Sequence, residues 1–483
     1  MEPTLTSSPT PGPYAGWTRE ALIQRLEQLE QGSTGAAPAS TTTPTVTTPQ
    51  AQIAAPQETI QTPSTLSKSF DFTRHARRKI AIKFCYSGWE YGGLAFQSGP
   101  TPLPTVENVM FDAMAKARLV DPESGFEGCE WDRCGRTDRG VSAGGQVVSL
   151  WVRSALGIDQ IEGACSPPAA SPTTTTTTAK EEFDYVYTMN RILPPTIRVI
   201  AWSPVSATFS ARFSCRYRHY KYFFLSDNLS IPLMQDAADR LIGEHDFRNM
   251  CKIDPAKQIT VFKRRVISAH LEQLDNGLYV FNLVGSAFLY HQVRNIMAVL
   301  FMVGSGLENP SIVTKLMNIE DGDEPMREGD KADEQGQAYP TLPRRPEYQM
   351  ADGLPLMLWE CGYDPSELSW RTCGSVNGET NPDLFNQMQA IHSRSRILAA
   401  LDQHFALSVA AHHAKPPSPF PLVNGLADLP RDGQPLLYPL GGGTFRRVLK
   451  YVPVLERNRG TPAEEQNERW RRNKASRKLE ESS

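Results

Sequence analysis

The sequence predicts an α+β fold in which helices pack on one face of a mainly antiparallel sheet. Ile80, Ile82 and Phe84 alternate with polar or small residues, which is the period-two pattern of a half-buried strand. Thr105 precedes apolar residues at helical spacing that begin with Val106, and threonine is a favoured N-cap residue. Strand and helix patterns then follow one another in mixed order, which favours an α+β arrangement.

Five further elements continue this mixed order. Runs of β-branched and aromatic residues predict strands at 146–152, 220–224 and 278–284. Apolar residues at helical spacing predict helices at 236–243 and 291–303. The second of these helices is apolar apart from a few polar positions, so it is expected to lie in the core.

Low-complexity stretches flank or interrupt a globular body that runs from about residue 77 to residue 364. Residues 32–67 are rich in Thr, Ser, Pro, Ala and Gln, and predict a disordered tether behind a short amphipathic helix at 18–31. The Thr-rich stretch 163–180 and the acidic stretch 320–334 predict inserted surface loops. Beyond residue 364 the periodicity weakens, and the tail ends in a basic helix that could touch RNA, serve as an import signal or simply be solvated.

Composition excludes several classes of protein. The 50 Lys and Arg residues against 53 Asp and Glu give a net charge of -3, so a nucleic-acid surface would have to come from local clustering of cations. The eight cysteines form no CxxC pair, which favours reduced thiols inside a cell over a disulfide scaffold or a zinc site. No stretch reaches the roughly 18 apolar residues of a membrane helix. We therefore expect a soluble intracellular protein with no metal and no membrane contact.

A polar loop between glycines, CGRTDRGVSA at 134–143, leads into the predicted strand at 146–152. It places one carboxylate, Asp138, between two cations, Arg136 and Arg139. An isolated Asp between glycines commonly forms an Asx turn that caps its own backbone, so the loop alone is only suggestive.

Two more clusters carry cations. Residues 209–222 interleave Arg212, Arg218 and Lys221 with aromatic residues, as a surface that neutralises phosphates and stacks a base would do, although a strand with a charged outer face gives the same pattern. In the third cluster, at 285–295, Arg294 lies on an otherwise apolar helix. A lone cation in such a place needs a buried anion.

Together the three clusters resemble those of the TruA family of tRNA pseudouridine synthases. The GRTD loop, the FSARFS and RHYKY segments and the FLYHQVRN helix occur in the family's order, and YSGW at 86–89 resembles its first motif. Because Arg139 follows the aspartate, the chain looks most like the eukaryotic branch that acts on positions 38 and 39 of the tRNA anticodon stem-loop.

The resemblance implies a role for each cluster. Asp138 matches the nucleophile, which works without metal or organic cofactor, and Arg294 matches the cation that keeps this carboxylate ionised. Tyr220 matches the tyrosine that packs on the flipped uracil. The remaining candidates for contact with the substrate are Arg136, Arg139, Arg212, Arg218, Lys221 and His291.

The family's architecture implies two RRM-like halves, at 77–230 and 231–364, which form a continuous sheet with a central basic active-site cleft. Residues 1–76 and 365–483 would then be extensions. The implied partner is tRNA, with a homodimer suggested by analogy and a location in nucleus and cytoplasm. Two alternatives stay open: a TruA-like synthase with other uridine targets in tRNA, and a catalytically silent tRNA-binding chaperone.

Overall fold

The computed structural model describes residues 70–163, 181–275, 277–330, 339–373, 383–413 and 435–481. The predicted helix at 18–31, the tether at 32–67 and nearly all of the insert at 163–180 lie outside these ranges. No helix within the described ranges combines the length and the apolar character that a membrane span requires.

A mainly antiparallel sheet of nine strands forms the centre of the protein, beside a separate hairpin of two strands near the C terminus. The strands are β1 (Arg77–Tyr86), β2 (Asp132–Arg133), β3 (Ser142–Arg153), β4 (Ile197–Pro204), β5 (Tyr217–Leu225), β6 (Gly243–Asp246), β7 (Lys263–Asp275), β8 (Leu278–Gly285), β9 (Leu356–Gly362), β10 (Leu436–Gly441) and β11 (Thr444–Val448). The large sheet has the order β4-β1-β3-β9-β5-β8-β7-β6, with β2 beside β3.

Nine α-helices occur in the described ranges. They are α1 (Val106–Lys116), α2 (Gly125–Gly128), α3 (Ile158–Gly163), α4 (Tyr185–Ile192), α5 (Ile231–Asp239), α6 (Gln292–Gly304), α7 (Ile312–Met317), α8 (Asp383–Ala410) and α9 (Ala463–Glu481). The α6 helix is buried along almost its whole length, as its apolar sequence predicts. The mixed α+β class with a mainly antiparallel sheet is therefore confirmed.

The strand β9 joins the two sides of the large sheet. It pairs in parallel with β3, at Ser142 with Met357, and antiparallel with β5, at Tyr220 with Leu358. The other adjacent strand pairs are antiparallel. Because β3 follows the GRTD loop and β5 carries Tyr220, β9 holds two of the sequence clusters side by side.

Local sequence explains several element boundaries. Thr105 caps α1, since its hydroxyl accepts a hydrogen bond from the amide of Asn108 at 3.3 Å. The helix predicted at 236–243 is wrong in its bounds. It begins at Ile231, where Pro232 fits the first turn because the missing N–H has no helical partner there. It ends at Asp239, and Gly243, with φ of 126°, already begins β6.

The core continues past residue 364 into the C-terminal segment. Leu436, Tyr438 and Val454 are buried among core residues. Glu308 holds this segment to the body, because its carboxylate accepts hydrogen bonds from the Tyr451 hydroxyl and from the amide of Val454, both at 2.7 Å. The C-terminal segment is thus packed onto the body through β10 and residues 451–454, although β11 is largely exposed and the sequence shows only weak periodicity.

The acidic stretch is also packed, as far as the structure describes it, up to residue 330. Glu324 is only 8% exposed and accepts a hydrogen bond from His245 at 2.7 Å. Asp330 forms a bidentate pair with Arg240 at 2.6 and 3.0 Å. These contacts attach the stretch to β6 and α5.

Candidate active site

The GRTD loop is held in place by hydrogen bonds from the elements around it. The side chain of Gln146, fully buried on β3, donates to the carbonyl of Gly135 at 2.9 Å. Tyr86, the last residue of β1, shares a 2.5 Å hydrogen bond with the hydroxyl of Thr137, whose carbonyl accepts from Leu94 at 3.2 Å. The residue before Asp138 is therefore fixed through both its side chain and its backbone.

A tight turn follows at Asp138. The amide of Val141 donates to the Asp138 carbonyl at 3.1 Å, and Gly140 has φ of 83°, a conformation that glycine adopts without strain. Gly353 lies behind the turn. A Cβ atom there would lie only 3.2 Å from the carbonyl oxygen of Arg139, so glycine lets the chain approach closely.

The Asp138 carboxylate faces two side-chain nitrogens at the start of α6, one from His291 just before the helix and one from Arg294 within it. Its Oδ2 lies 3.1 Å from His291 Nε2 and 3.9 Å from Arg294 Nη1. The side chain remains 26% exposed, so a substrate can still reach it. These contacts favour the interpretation as a reactive carboxylate over the Asx turn that the loop sequence also allowed.

His291 has a backbone conformation that few residues other than glycine adopt. It precedes α6 as the N-cap residue with φ of 60°, in the left-handed region, so the helix predicted to begin at 291 begins one residue later. Its side chain is 7% exposed, and the ring lies 3.8 Å from that of Tyr290. Within the described residues, the buried Nδ1 has no hydrogen-bond partner. The left-handed conformation coincides with the placement of the imidazole against Asp138, which suggests that the strain serves the site.

Arg294 is oriented by the chain segment that leads to β9. Its Nε donates to the carbonyl of Ala351 at 2.8 Å, and the amide of Ala351 donates back to the carbonyl of Arg294 at 3.1 Å. A Cβ at Gly353 would lie 3.6 Å from Arg294 Cζ. The guanidinium thus has its direction set independently of Asp138.

Tyr220 supplies an aromatic ring from β5. It is 9% exposed and packs edge-to-face on Phe288, with ring centroids 5.1 Å apart. Burial raises the pKa of Tyr220 well above its ordinary value, and the charge of Asp138 adds to this shift. The hydroxyl therefore stays protonated at neutral pH.

The other candidate substrate-binding residues fall into two groups. Arg136, Arg139 and Arg212 are exposed, and Lys221 lies 4.4 Å over the ring of Trp359. Arg218 instead donates to three carbonyls, which belong to Cys134, Arg212 and Ser286, at 2.8 to 3.0 Å. These bonds connect all three sequence clusters. Arg218 therefore holds the segments of the site together, as a structural residue would.

Sequence reasoning missed three contributors to the site. Phe288 supports Tyr220, and Ala351 with Gly353 supports Arg294. Phe288 stands inside the FLYHQVRN cluster and could have been found as an aromatic residue near a candidate site. Ala351 and Gly353 belong to an ordinary polar stretch in which only the glycine gives any signal. In the described part of the chain, no cluster of His, Cys, Asp and Glu residues is arranged to hold a metal ion.

Comparisons with known proteins identify the family. The family model described as tRNA pseudouridine synthase matches residues 237–339. The tRNA pseudouridine(38/39) synthase of Saccharomyces cerevisiae is 40% identical over 74% of this chain and 73% of its own length. The Homo sapiens protein of the same name is 39% identical over 62% of this chain and 58% of its own length. A tRNA pseudouridine synthase A from Methanothrix thermoacetophila is 31% identical over 50% of this chain and 75% of its own length. Since it shares 40% identity with the yeast synthase over most of both chains, the chain belongs to the TruA family of tRNA pseudouridine synthases.

Proposed function

We propose that this protein isomerises uridine to pseudouridine at positions 38 and 39 of the tRNA anticodon stem-loop, the activity named for its yeast and human relatives. The observation that carries the proposal is the half-buried Asp138 carboxylate, held 3.1 Å from His291 and 3.9 Å from Arg294. A carboxylate that is held by neighbouring side chains and remains partly exposed can act as a nucleophile, and Tyr220 on β5 supplies an aromatic ring.

The reaction rearranges bonds within one nucleotide. The bond between uracil N1 and ribose C1′ breaks, the base turns, a bond forms between C5 and C1′, C5 loses its proton and N1 gains one. Both nitrogen contacts fall on Oδ2 of Asp138, so we assign the attack, at C1′ or at uracil C6, to Oδ1, and the bond that Oδ1 forms breaks again before the product leaves. His291 and Arg294 hold the carboxylate, and the guanidinium of Arg294 supplies a positive charge beside it.

The flipped base needs a surface to replace the stacking that it loses in the RNA. Tyr220 is buried and fixed against Phe288, so its ring stays in one orientation at little entropic cost. The exposed cations Arg136, Arg139 and Arg212 would bind the backbone around the target nucleotide, with Lys221 beside Trp359. The GRTD loop, β5 and the start of α6 would line a basic cleft between two RRM-like halves.

The same proposal covers the assembly and location of the protein. A homodimer rests on analogy with relatives. A location in nucleus and cytoplasm follows from a tRNA substrate, with the basic α9 as the candidate import signal.

The test is to map pseudouridine at single-nucleotide resolution in tRNA from cells with and without this protein, followed by conversion of an unmodified tRNA by the purified chain. We expect pseudouridine at positions 38 and 39 to disappear without the protein and to be restored by it. Loss of pseudouridine at other positions would favour the alternative with other uridine targets. Unchanged modification together with retained tRNA binding would favour the silent chaperone.

A further inference from the structure

A cavity away from Asp138 lies between the body and the C-terminal segment. It has a volume of about 770 Å³. Its walls come from residues 251–253, from 345–349 and from the stretch 438–466, which the sequence analysis placed in an extension. We refer to it as the C-terminal cleft.

Basic side chains dominate the charge of this cleft. Five cations line it, against the two carboxylates of Glu347 and Glu456. The cations are Lys252, Arg345, Arg446, Lys450 and Arg457. Within the described residues none of the five forms an ion pair with a carboxylate, whereas Arg78, Arg240 and Arg248 elsewhere in the protein do. Five cations against two carboxylates give the cavity lining a net positive charge, which an anionic ligand would neutralise.

Two of these cations are held in position by neutral partners. Arg345 donates to the side-chain oxygen of Asn295 at 2.8 Å and stacks over Tyr348 at 4.7 Å. Arg457 donates to the carbonyl of Val452 at 2.8 Å and lies over the Tyr451 ring. Such contacts orient a guanidinium without cancelling its charge. The Nε of Arg345 is also buried with no hydrogen-bond partner among the described residues.

The cleft is attached to the turn of α6 that supplies the candidate active site. The amide of Lys252 donates to the carbonyl of Tyr290 at 2.9 Å, immediately before His291. Asn295, the partner of Arg345, immediately follows Arg294. This shared segment places the cleft near the candidate active site, so one polyanion can contact both, whereas a small anion would occupy only one of them.

We propose that the C-terminal cleft binds the sugar-phosphate backbone of the RNA substrate, as a second contact apart from the nucleotide that reacts. The proposal rests on the proposed function, since it takes the substrate to be tRNA. Of the three tyrosines in the lining, Tyr438 and Tyr451 are buried, and the ring of the half-buried Tyr348 lies under Arg345, so the cleft offers charges rather than open aromatic faces. Recognition there is accordingly of phosphates, and it is independent of base sequence.

The experiment measures tRNA binding by the triple variant Lys252→Gln/Arg446→Gln/Lys450→Gln. It replaces three exposed cations of the cleft that have few structural contacts. Each phosphate contact contributes about 0.7 to 0.9 to the slope of log K against log salt concentration, so the slope should become shallower by about 2 to 3. At low salt the affinity for unmodified tRNA should fall at least about tenfold. The loss of activity should appear in KM rather than in kcat, because Asp138 and its partners are untouched.

The matched control is Lys116→Gln/Arg118→Gln/Arg191→Gln, which removes three exposed cations from elements that contribute nothing to the cleft. It should bind tRNA like the unaltered protein, and thermal unfolding of both triple variants checks that they are folded. If the first triple variant unfolds early, the single variants Lys252→Gln and Lys450→Gln replace it. Equal affinity and equal salt slope in the folded cleft variants and the control would overturn the inference. If the unaltered protein makes no pseudouridine but the cleft variant still loses affinity, the proposed function fails and the cleft stands as an RNA site.

Discussion

His291 Nε2 lies closer to the Asp138 carboxylate than any nitrogen of Arg294 does, at 3.1 Å against 3.9 Å. The sequence pointed to Arg294 as the counter-cation of the carboxylate, and the structure adds the imidazole as a nearer neighbour on the same oxygen. The two side chains come from the start of one helix, so a single element positions both. The site is better described as a carboxylate with two supports than as a simple ion pair.

The first prediction concerns the nucleophile. Asp138→Ala should abolish pseudouridine formation and leave tRNA affinity within a few-fold, because the carboxylate takes part in the chemistry while the phosphates are bound elsewhere. Asp138→Asn is the matched control for shape, since it keeps a side-chain oxygen for His291 but cannot act as a nucleophile. Both variants should be inactive in a single-turnover assay with excess enzyme. Measurable turnover by either would show that another group attacks.

The second prediction separates the two supports of the carboxylate. Arg294→Met should nearly eliminate turnover with little change in tRNA affinity, because it removes the charge and the donor to Ala351. His291→Asn should lower kcat less severely. Asparagine tolerates the left-handed backbone at this position, so the variant tests the imidazole rather than the fold. Loss of tRNA binding in proportion to activity in Arg294→Met would place this residue on the RNA surface instead.

The third prediction concerns the ring of Tyr220. Base stacking on an aromatic side chain is worth about 1 to 3 kcal/mol by truncation, so Tyr220→Ala should slow the single-turnover rate far more than it weakens binding. Tyr220→Phe keeps the ring and should retain most of the activity if the hydroxyl has no part in catalysis. Because Tyr220 is buried against Phe288, Tyr220→Leu is needed as a control for lost packing. A wild-type rate for Tyr220→Ala would show that the ring does not contact the base.

The sequence predicted those parts of the fold that depend on local patterns. The alternation of apolar and polar residues predicted β1, and Thr105 as an N-cap predicted the start of α1, because both patterns lie within a few residues of sequence. The packing of the C-terminal segment could not be foreseen in this way. The segment is held by the hydrogen bond between Glu308 and Tyr451, and the sequence around either residue contains no pattern that predicts a partner so far along the chain.

In the candidate site, too, local patterns were predictable and long-range contacts were not. Asp138, Tyr220 and Arg294 could be chosen because each belongs to a recognisable cluster. The geometry that makes them a site depends on contacts of long range, such as the carbonyl of Ala351 that orients Arg294. The sequence showed that Arg218 is a cation among aromatic residues, but only its three carbonyl partners show that it supports the loop from within.

The last prediction concerns stability and pH. Burial alone would lower the pKa of His245, but the hydrogen bond with Glu324, followed by that with the Ile242 carbonyl, outweighs this effect and raises it. A histidine with a raised pKa in the folded state stabilises the fold fully below its unfolded pKa of about 6.5, and this contribution is lost as the pH rises through the folded pKa. The midpoint of thermal unfolding should therefore fall as the pH is raised from about 6 to 8, while the acidic stretch loses its attachment to β6.

His245→Gln is the matched variant for this effect, since it can keep a hydrogen bond to Glu324 but cannot carry a charge. It should unfold at a lower temperature than the unaltered protein at low pH, and the difference should shrink at higher pH. His270 provides the control, because it is an exposed histidine on β7, and His270→Gln should leave the pH dependence unchanged. If His245→Gln shifted the unfolding midpoint equally at every pH, the histidine would contribute through packing alone, and the charged pair with Glu324 would have no part in holding the acidic stretch.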